Sequence, residues 1–232
     1  MSFLSIHPNR AMRFGHTLRK SVYAPWKDKY LEYGKLKALL REDADDDRAW
    51  TEEDEHKFCE EILNVQLDKI ASFQASTFKG LEERANKAGE KLRDLSPEDA
   101  ESKGELATSR FKEVEEELDS IINETKELKK YSNLNFTGFL KIAKKHDRKR
   151  GNNYKIKPMV QLSLQKQTFN SESKYAPLLN KLSMMFFIVR QQLDVNVDET
   201  SVTSDAQAEV QNGERYTAYK CKLFSFVYLV QI

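Results

Sequence analysis

The stretch Leu134-Asn135-Phe136-Thr137-Gly138-Phe139-Leu140-Lys141-Ile142-Ala143-Lys144-Lys145-His146-Asp147 begins with aromatic and aliphatic residues and ends in a dense basic run. Read as part of a helix from Asn135 to Arg150, it spaces Lys141, Lys144, Lys145 and Arg148 by three, four and seven residues, which puts them on one face. Phe136, Phe139, Leu140 and Ala143 can form the buried side. Like charges so placed repel by roughly a few tenths of a kcal/mol per pair, and an anion would relieve that repulsion. Lysine suits a ligand with several phosphates at varied angles, because it acts as a point charge with three donors. A face built only for solubility normally mixes both signs, and this one carries no interleaved glutamate. The run therefore reads as the mount for a small, highly phosphorylated anion.

The rest of the chain agrees with a local patch rather than a global charge. Its 232 residues carry 38 Lys and Arg against 37 Asp and Glu, which gives no reason to expect a non-specific polyanion binder. Acid dominates from Glu42 to Glu61, whereas Lys126 to Lys157 holds eleven Lys or Arg against only Glu127 and Asp147. Such segregation predicts a basic patch on an otherwise neutral protein.

Few Gly and Pro and many Glu, Lys, Leu and Ala favour helices. Phe111, Val114, Leu118, Ile121, Thr125 and Leu128 step by three and four along one face. A second series runs through Leu63, Leu67, Ile70 and Phe73 and resumes at Phe78, Leu81, Ala85, Ala88 and Leu92. Thr51-Glu52-Glu53-Asp54 resembles a capping box, and Ser96-Pro97-Glu98-Asp99 offers an N-cap serine followed by proline. The expectation is one helix from about Thr51 to Leu95 and another from about Pro97 to Tyr131, forming an antiparallel hairpin. Shorter amphipathic segments, Arg13 to Val22, Tyr30 to Arg41, Asn135 to Arg150 and Tyr175 to Leu193, supply the cover. Ala24-Pro25-Trp26 marks a break between the first two, and the last turns Leu178, Leu182, Met185, Phe186 and Val189 inward. From Asp194 to Glu214 the composition becomes polar and reads as a flexible linker.

Other chemistry finds little support. Cys59 and Cys221 match no metal or redox spacing, so a reduced, intracellular protein is expected, with Cys59 a core residue. His16, His56 and His146 lack metal-ligand spacing to a Cys or acidic partner. The sequence holds no Gly-rich phosphate loop or nucleophile elbow, and it is not expected to be an enzyme. No secretory peptide is read at the N-terminus, and Leu223 to Ile232, the most apolar stretch, is shorter than the roughly 20 residues that span a bilayer. Tyr33 and Lys37, one helical turn apart, are read as a phenol donor and an ammonium beside Lys29 and Lys35.

Three blocks occur together in one order: Met12-Arg13-Phe14-Gly15; Trp26-Lys27-Asp28-Lys29-Tyr30-Leu31-Glu32-Tyr33-Gly34-Lys35-Leu36-Lys37; and Leu134 to Asp147. They resemble the conserved blocks of SPX domains over roughly Met12 to Leu193. The resemblance implies an all-α, SPX-type helical bundle with an N-terminal helical hairpin, two long antiparallel helices and two shorter C-terminal helices. It also implies a sensor of phosphate status that binds inositol polyphosphates, such as inositol hexakisphosphate, and inositol pyrophosphates, with no cofactor or metal. On the same ground Tyr33, Lys37 and Lys145 would form the phosphate-binding cluster. Lys141, Lys144 and Arg148 would form the adjoining basic surface, and Arg13 would add one contact.

Within the family, Tyr23-Ala24-Pro25-Trp26 and the stretch from Val210 to Lys220 resemble accessory subunits of the fungal vacuolar transporter chaperone complex, which makes and translocates polyphosphate. This implies other subunits of such a complex as partners, catalysis in one of them, and a place on the cytoplasmic face of the vacuole membrane. The domain plan is an extension over 1–11, the SPX domain over 12–193, the linker over 194–214, and a truncated start of a following domain or an aberrant terminus over 215–232. Two other readings of the same features are a binder of nucleic acid or acidic membrane through the basic patch, and a coiled-coil adaptor. Aromatic residues are not interleaved with the lysines as single-strand binding would need.

Overall fold

The computed structural model describes residues 13–41, 48–95, 104–151, 155–167 and 172–200. Its elements, in chain order, are α1 (Arg13–Ser21), a 3-10 segment (Ala24–Lys29), α2 (Tyr33–Leu39), α3 (Glu52–Glu60), a π-helical turn (Glu61–Gln66), α4 (Leu67–Asp94), α5 (Gly104–Arg150), α6 (Lys157–Lys166) and α7 (Glu172–Thr200). No strand occurs among the described residues. The chain divides into two units, one of residues 1–78 with 126–170 and one of 79–125 with 171–232.

The first unit carries the basic run. α3 starts where the capping box predicts: Asp54 N–H donates to Thr51 Oγ1 at 3.2 Å, and Thr51 N–H donates to Asp54 Oδ2 at 3.0 Å. This satisfies two of the amides that a helix start leaves open. α3, the π turn and α4 form one continuous helical run over the expected Thr51 to Leu95. The π turn shifts the inward stripe, so that Phe58, Ile62, Gln66, Leu67 and Ile70 are buried where Leu63 was expected. It also aims the buried Gln66 amide at the start of α2: Gln66 Oε1 accepts from Glu32 N–H at 3.1 Å while Nε2 donates to Glu61 Oε1 at 2.7 Å.

Ala24-Pro25-Trp26 is a 3-10 turn rather than a simple break. Edge-on aromatic contacts hold it. Trp26 lies 5.5 Å from Phe73 and 6.0 Å from Tyr131 between ring centroids, and Tyr30 lies 4.8 Å from Tyr131. The Tyr131 hydroxyl donates to Lys29 O at 2.9 Å. Burial drives the Tyr131 phenol far above its ordinary pKa, and the neighbouring Tyr30 adds to the rise, so it stays a neutral donor. α2 is shorter than the expected Tyr30 to Arg41.

The expected division between Tyr131 and Asn135 is absent, because α5 is a single helix of 47 residues. Ser132 and Asn135 are poor helix formers, yet they are absorbed by bonding back one turn. Ser132 Oγ donates to Leu128 O at 2.9 Å and Asn135 Nδ2 to Tyr131 O at 2.8 Å. Periodicity did not mark α6, which with α7 makes up the two C-terminal helices that the resemblance implied. It is short, opens on Lys157-Pro158, and buries only Val160 and Leu164.

In the second unit the predicted stripes of α4 and α5 are buried, from Leu81 to Leu92 and from Phe111 to Thr125. Arg84 ties the two helices: Nε donates to Glu117 at 2.8 Å, Nη2 to Ser120 at 2.9 Å and Nη1 to Glu124 at 2.5 Å. Leu178, Leu182, Met185, Phe186 and Val189 of α7 all face inward. α7 continues to Thr200, past the Leu193 at which the polar composition had suggested an end. The 1–11 extension, Ser96 to Asp99 and the segment 215–232 lie outside the described residues.

Candidate functional site

Two pins fix α2 alongside the C-terminal part of α5. At one end, Leu31 N–H donates to Asn135 Oδ1 at 2.8 Å. At the other, Lys149 Nζ donates to Arg41 O at 2.5 Å and Arg150 Nη2 to Leu40 O at 3.2 Å. The two helices therefore run in the same direction, and Tyr33 and Lys37 lie at levels between the pins, as do Lys141 and Lys145. Lys149 and Arg150 extend the basic run in sequence but bond the carbonyls of Leu40 and Arg41 just past the end of α2, where cations are favourable. Arg41 follows there in left-handed backbone at φ 53°, the conformation that commonly ends a helix.

Gly138 lets α1 and the start of α2 approach α5. A Cβ there would meet Leu31 Cδ2 at 2.7 Å and Phe14 Cε1 at 3.4 Å. Phe14 in turn meets Tyr33 edge-on with 5.1 Å between centroids, and the Lys141 ammonium sits 5.3 Å from the Phe14 ring centroid. Tyr33 on α2 and Lys141 on α5 are thus joined through one ring of α1.

Burial then separates the four cations that share spacing. Lys145 is 8% exposed, whereas Lys141, Lys144 and Arg148 are exposed. Tyr33 is buried and Lys37 half-buried. One spacing-defined face therefore holds two environments, one buried and one exposed. On the opposite side Phe139 and Ala143 are buried as expected, together with Ile142, whereas Phe136 and Leu140 are only half-buried. Arg13 is the first residue of α1.

His146, which metal-ligand spacing had set aside, is fully buried and organises the floor beneath the run. It stacks on Phe58 with 5.0 Å between centroids, and its Nε2 faces Glu55 Oε2 at 2.9 Å. Glu55 also accepts from Trp50 Nε1 at 2.8 Å, and Trp50 lies flat beneath the Arg150 guanidinium at 3.2 Å. Burial, with Arg41 nearby as a smaller cause, pulls Arg150 below the usual guanidinium range. Cys59 is half-buried, its thiol pushed up to about 11 by burial and Glu55, so it is an unreactive packing group.

Sequence reasoning missed two further lysines. A depression of about 450 Å³ is lined by Lys144, Asp147, Arg148, Gly151, Lys155 and Lys157. Lys155 and Lys157 belong to the same basic excess, and the Asp147 carboxylate, bonded to the Ile156 and Lys157 amides, holds this segment beside the run. No group of three or more His, Cys, Asp and Glu able to hold a metal ion occurs among the described residues. No described helix is long and apolar enough to cross a membrane.

This order of helices, with a short N-terminal pair set against two long helices, is the SPX-type helical bundle. The chain carries an SPX domain similar to those of vacuolar transporter chaperone subunits. It is 35% identical over 207 residues to vacuolar transporter chaperone complex subunit 2 of Saccharomyces cerevisiae, covering 87% of this chain and 24% of that protein. It is 30% identical over 215 residues to subunit 2 of Schizosaccharomyces pombe, covering 93% and 28%. The chain thus spans about a quarter of the length of these curated relatives. In fold it matches the SPX domain of Chaetomium thermophilum glycerophosphodiester phosphodiesterase 1, a structure in complex with inositol hexakisphosphate. The TM-score is 0.55 at 20% identity, covering 77% of this chain and 99% of that one. No family model matches the chain.

Proposed function

We propose that this chain is a phosphate-status sensor that binds inositol polyphosphates and pyrophosphates at the junction of α1, α2 and α5. In this reading Tyr33, Lys37 and Lys145 contact the phosphates, Lys141, Lys144 and Arg148 flank them, and Arg13, the first residue of α1, adds one contact. The observation that carries it is the joining of Tyr33 to Lys141 through Phe14 over Gly138, between pins that hold α2 along α5. A binding surface made of two segments about a hundred residues apart can report a ligand by the position of one segment on the other, which a basic face on a single helix cannot. The similarity to an SPX domain solved with inositol hexakisphosphate supports the ligand class.

The similarity to chaperone-complex subunits supports the role. The domain, placed over 12–193, regulates polyphosphate synthesis at the cytoplasmic face of the vacuole membrane, and catalysis lies in another subunit. Calorimetric titration of the chain with inositol hexakisphosphate, followed by competition with single-stranded RNA at fixed salt, tests the ligand class. Saturable binding of the inositol phosphate that RNA does not displace is expected. Tighter binding of RNA, lost steeply as salt rises, would replace this reading with a nucleic-acid binder.

A further inference from the structure

The depression beside Arg148 offers more than a continuation of the flanking surface. Lys144 and Arg148 stand one turn apart on α5 and form one wall. Gly151, at φ +69°, ends the helix in a backbone conformation that side chains disfavour, and the chain returns with Lys155 and Lys157 as the other wall. The return is held by Asp147: its Oδ1 accepts from Ile156 N–H at 2.9 Å and its Oδ2 from Lys157 N–H at 3.3 Å. Asp147 is the one carboxylate among the described lining residues, and both of its oxygens are engaged by these amides.

Four cations thus share the lining of the depression with a single carboxylate, which leaves the described lining net positive. Lys157 is also the first residue of α6, and no acid occupies the first turn of that helix. A cation there opposes the helix dipole, so helix stability does not explain its presence. Clustered like charges around a concave surface raise the local potential and attract an anion. Lys141 to Arg148 spans about 10 Å of helix, a reach suited to one ligand with phosphoryl groups around its rim.

We infer that Lys155 and Lys157, held opposite Lys144 and Arg148 by Asp147, form an outer subsite that takes a peripheral phosphoryl group of the same inositol polyphosphate. This rests on the ligand class proposed above. The test is calorimetric titration of the full chain with inositol hexakisphosphate, comparing wild type, the Lys155→Ala/Lys157→Ala double variant and the Lys155→Arg/Lys157→Arg double variant. The alanine variant is expected to bind roughly fivefold to twentyfold more weakly with unchanged stoichiometry, and the arginine variant within about twofold of wild type. Both side chains are exposed, so all three proteins should melt alike. Equal affinity of wild type and alanine variant would overturn the subsite alone. Equal loss in the arginine variant would show that the lysines act through local structure, and would overturn it too. Absence of binding by wild type would overturn the ligand class and the subsite together.

Discussion

Leu31 and Asn135, 104 positions apart, are joined by a 2.8 Å hydrogen bond from the Leu31 N–H to Asn135 Oδ1, and both residues are buried. Both ends of the Asn135 amide are engaged, because its Nδ2 donates to Tyr131 O at 2.8 Å. Asn135→Leu keeps the branched shape but orphans the Leu31 N–H in an apolar setting. A loss of about 1–3 kcal/mol in unfolding free energy is expected, measured by urea denaturation. An unchanged midpoint and slope would show that the pin contributes nothing.

Gly138 is the second element of the same junction. Gly138→Ala gains about 1 kcal/mol in helix propensity but forces Leu31 and Phe14 apart at a cost of about 1–3 kcal/mol. Leu31 is only 3% exposed and has little room to give. The variant should be less stable by about 1 kcal/mol, and its affinity for inositol hexakisphosphate should fall because Phe14 carries the contact between Tyr33 and Lys141. A more stable variant with unchanged affinity would contradict the close approach.

The capping box makes the floor of the site sensitive to acid. The Arg41 guanidinium, then the Thr51 amide, hold the Asp54 carboxyl well below its ordinary value of 3.8. A carboxylate with a lowered folded-state value contributes stability that is fully present above the unfolded value and is lost as pH falls through the folded one. Asp54→Asn should therefore destabilise the protein at pH 7 and matter progressively less below about pH 4. Thermal melts of both proteins at pH 7 and pH 3 would show this, and a gap that widened on acidification would contradict it.

Much of this arrangement is legible in the sequence where periodicity speaks. The stripe from Phe111 to Leu128 and the inward residues of α7 follow from 3.6-residue spacing, and the start of α3 follows from the chemistry of Thr51 and Asp54. The π turn is not legible, because its one-residue slip shows only in which of Ile62 and Leu63 meets a neighbour. The continuity of α5 through Asn133, Leu134 and Asn135 rests on Ser132 and Asn135 bonding back one turn, which residue-by-residue propensity does not register, and Asn135 also accepts from the Leu31 N–H. Spacing alone could not separate Lys145 from Lys141, Lys144 and Arg148. What separates them is burial in the folded chain, which leaves Lys145 only 8% exposed. Lys155 and Lys157 escaped for a similar reason, since only Gly151 and Asp147 return them to the run.

Phosphate binding at the junction is tested most directly by calorimetric titration of inositol hexakisphosphate into wild type, Tyr33→Phe and Lys145→Met. The methionine keeps most of the buried stem and removes the charge. A charge-assisted contact of this kind predicts roughly a tenfold to hundredfold loss for Lys145→Met and a smaller loss, near fivefold, for Tyr33→Phe, with helix content by circular dichroism unchanged in both. Affinities equal to wild type in both variants would contradict the assignment of the junction as the phosphate-binding site.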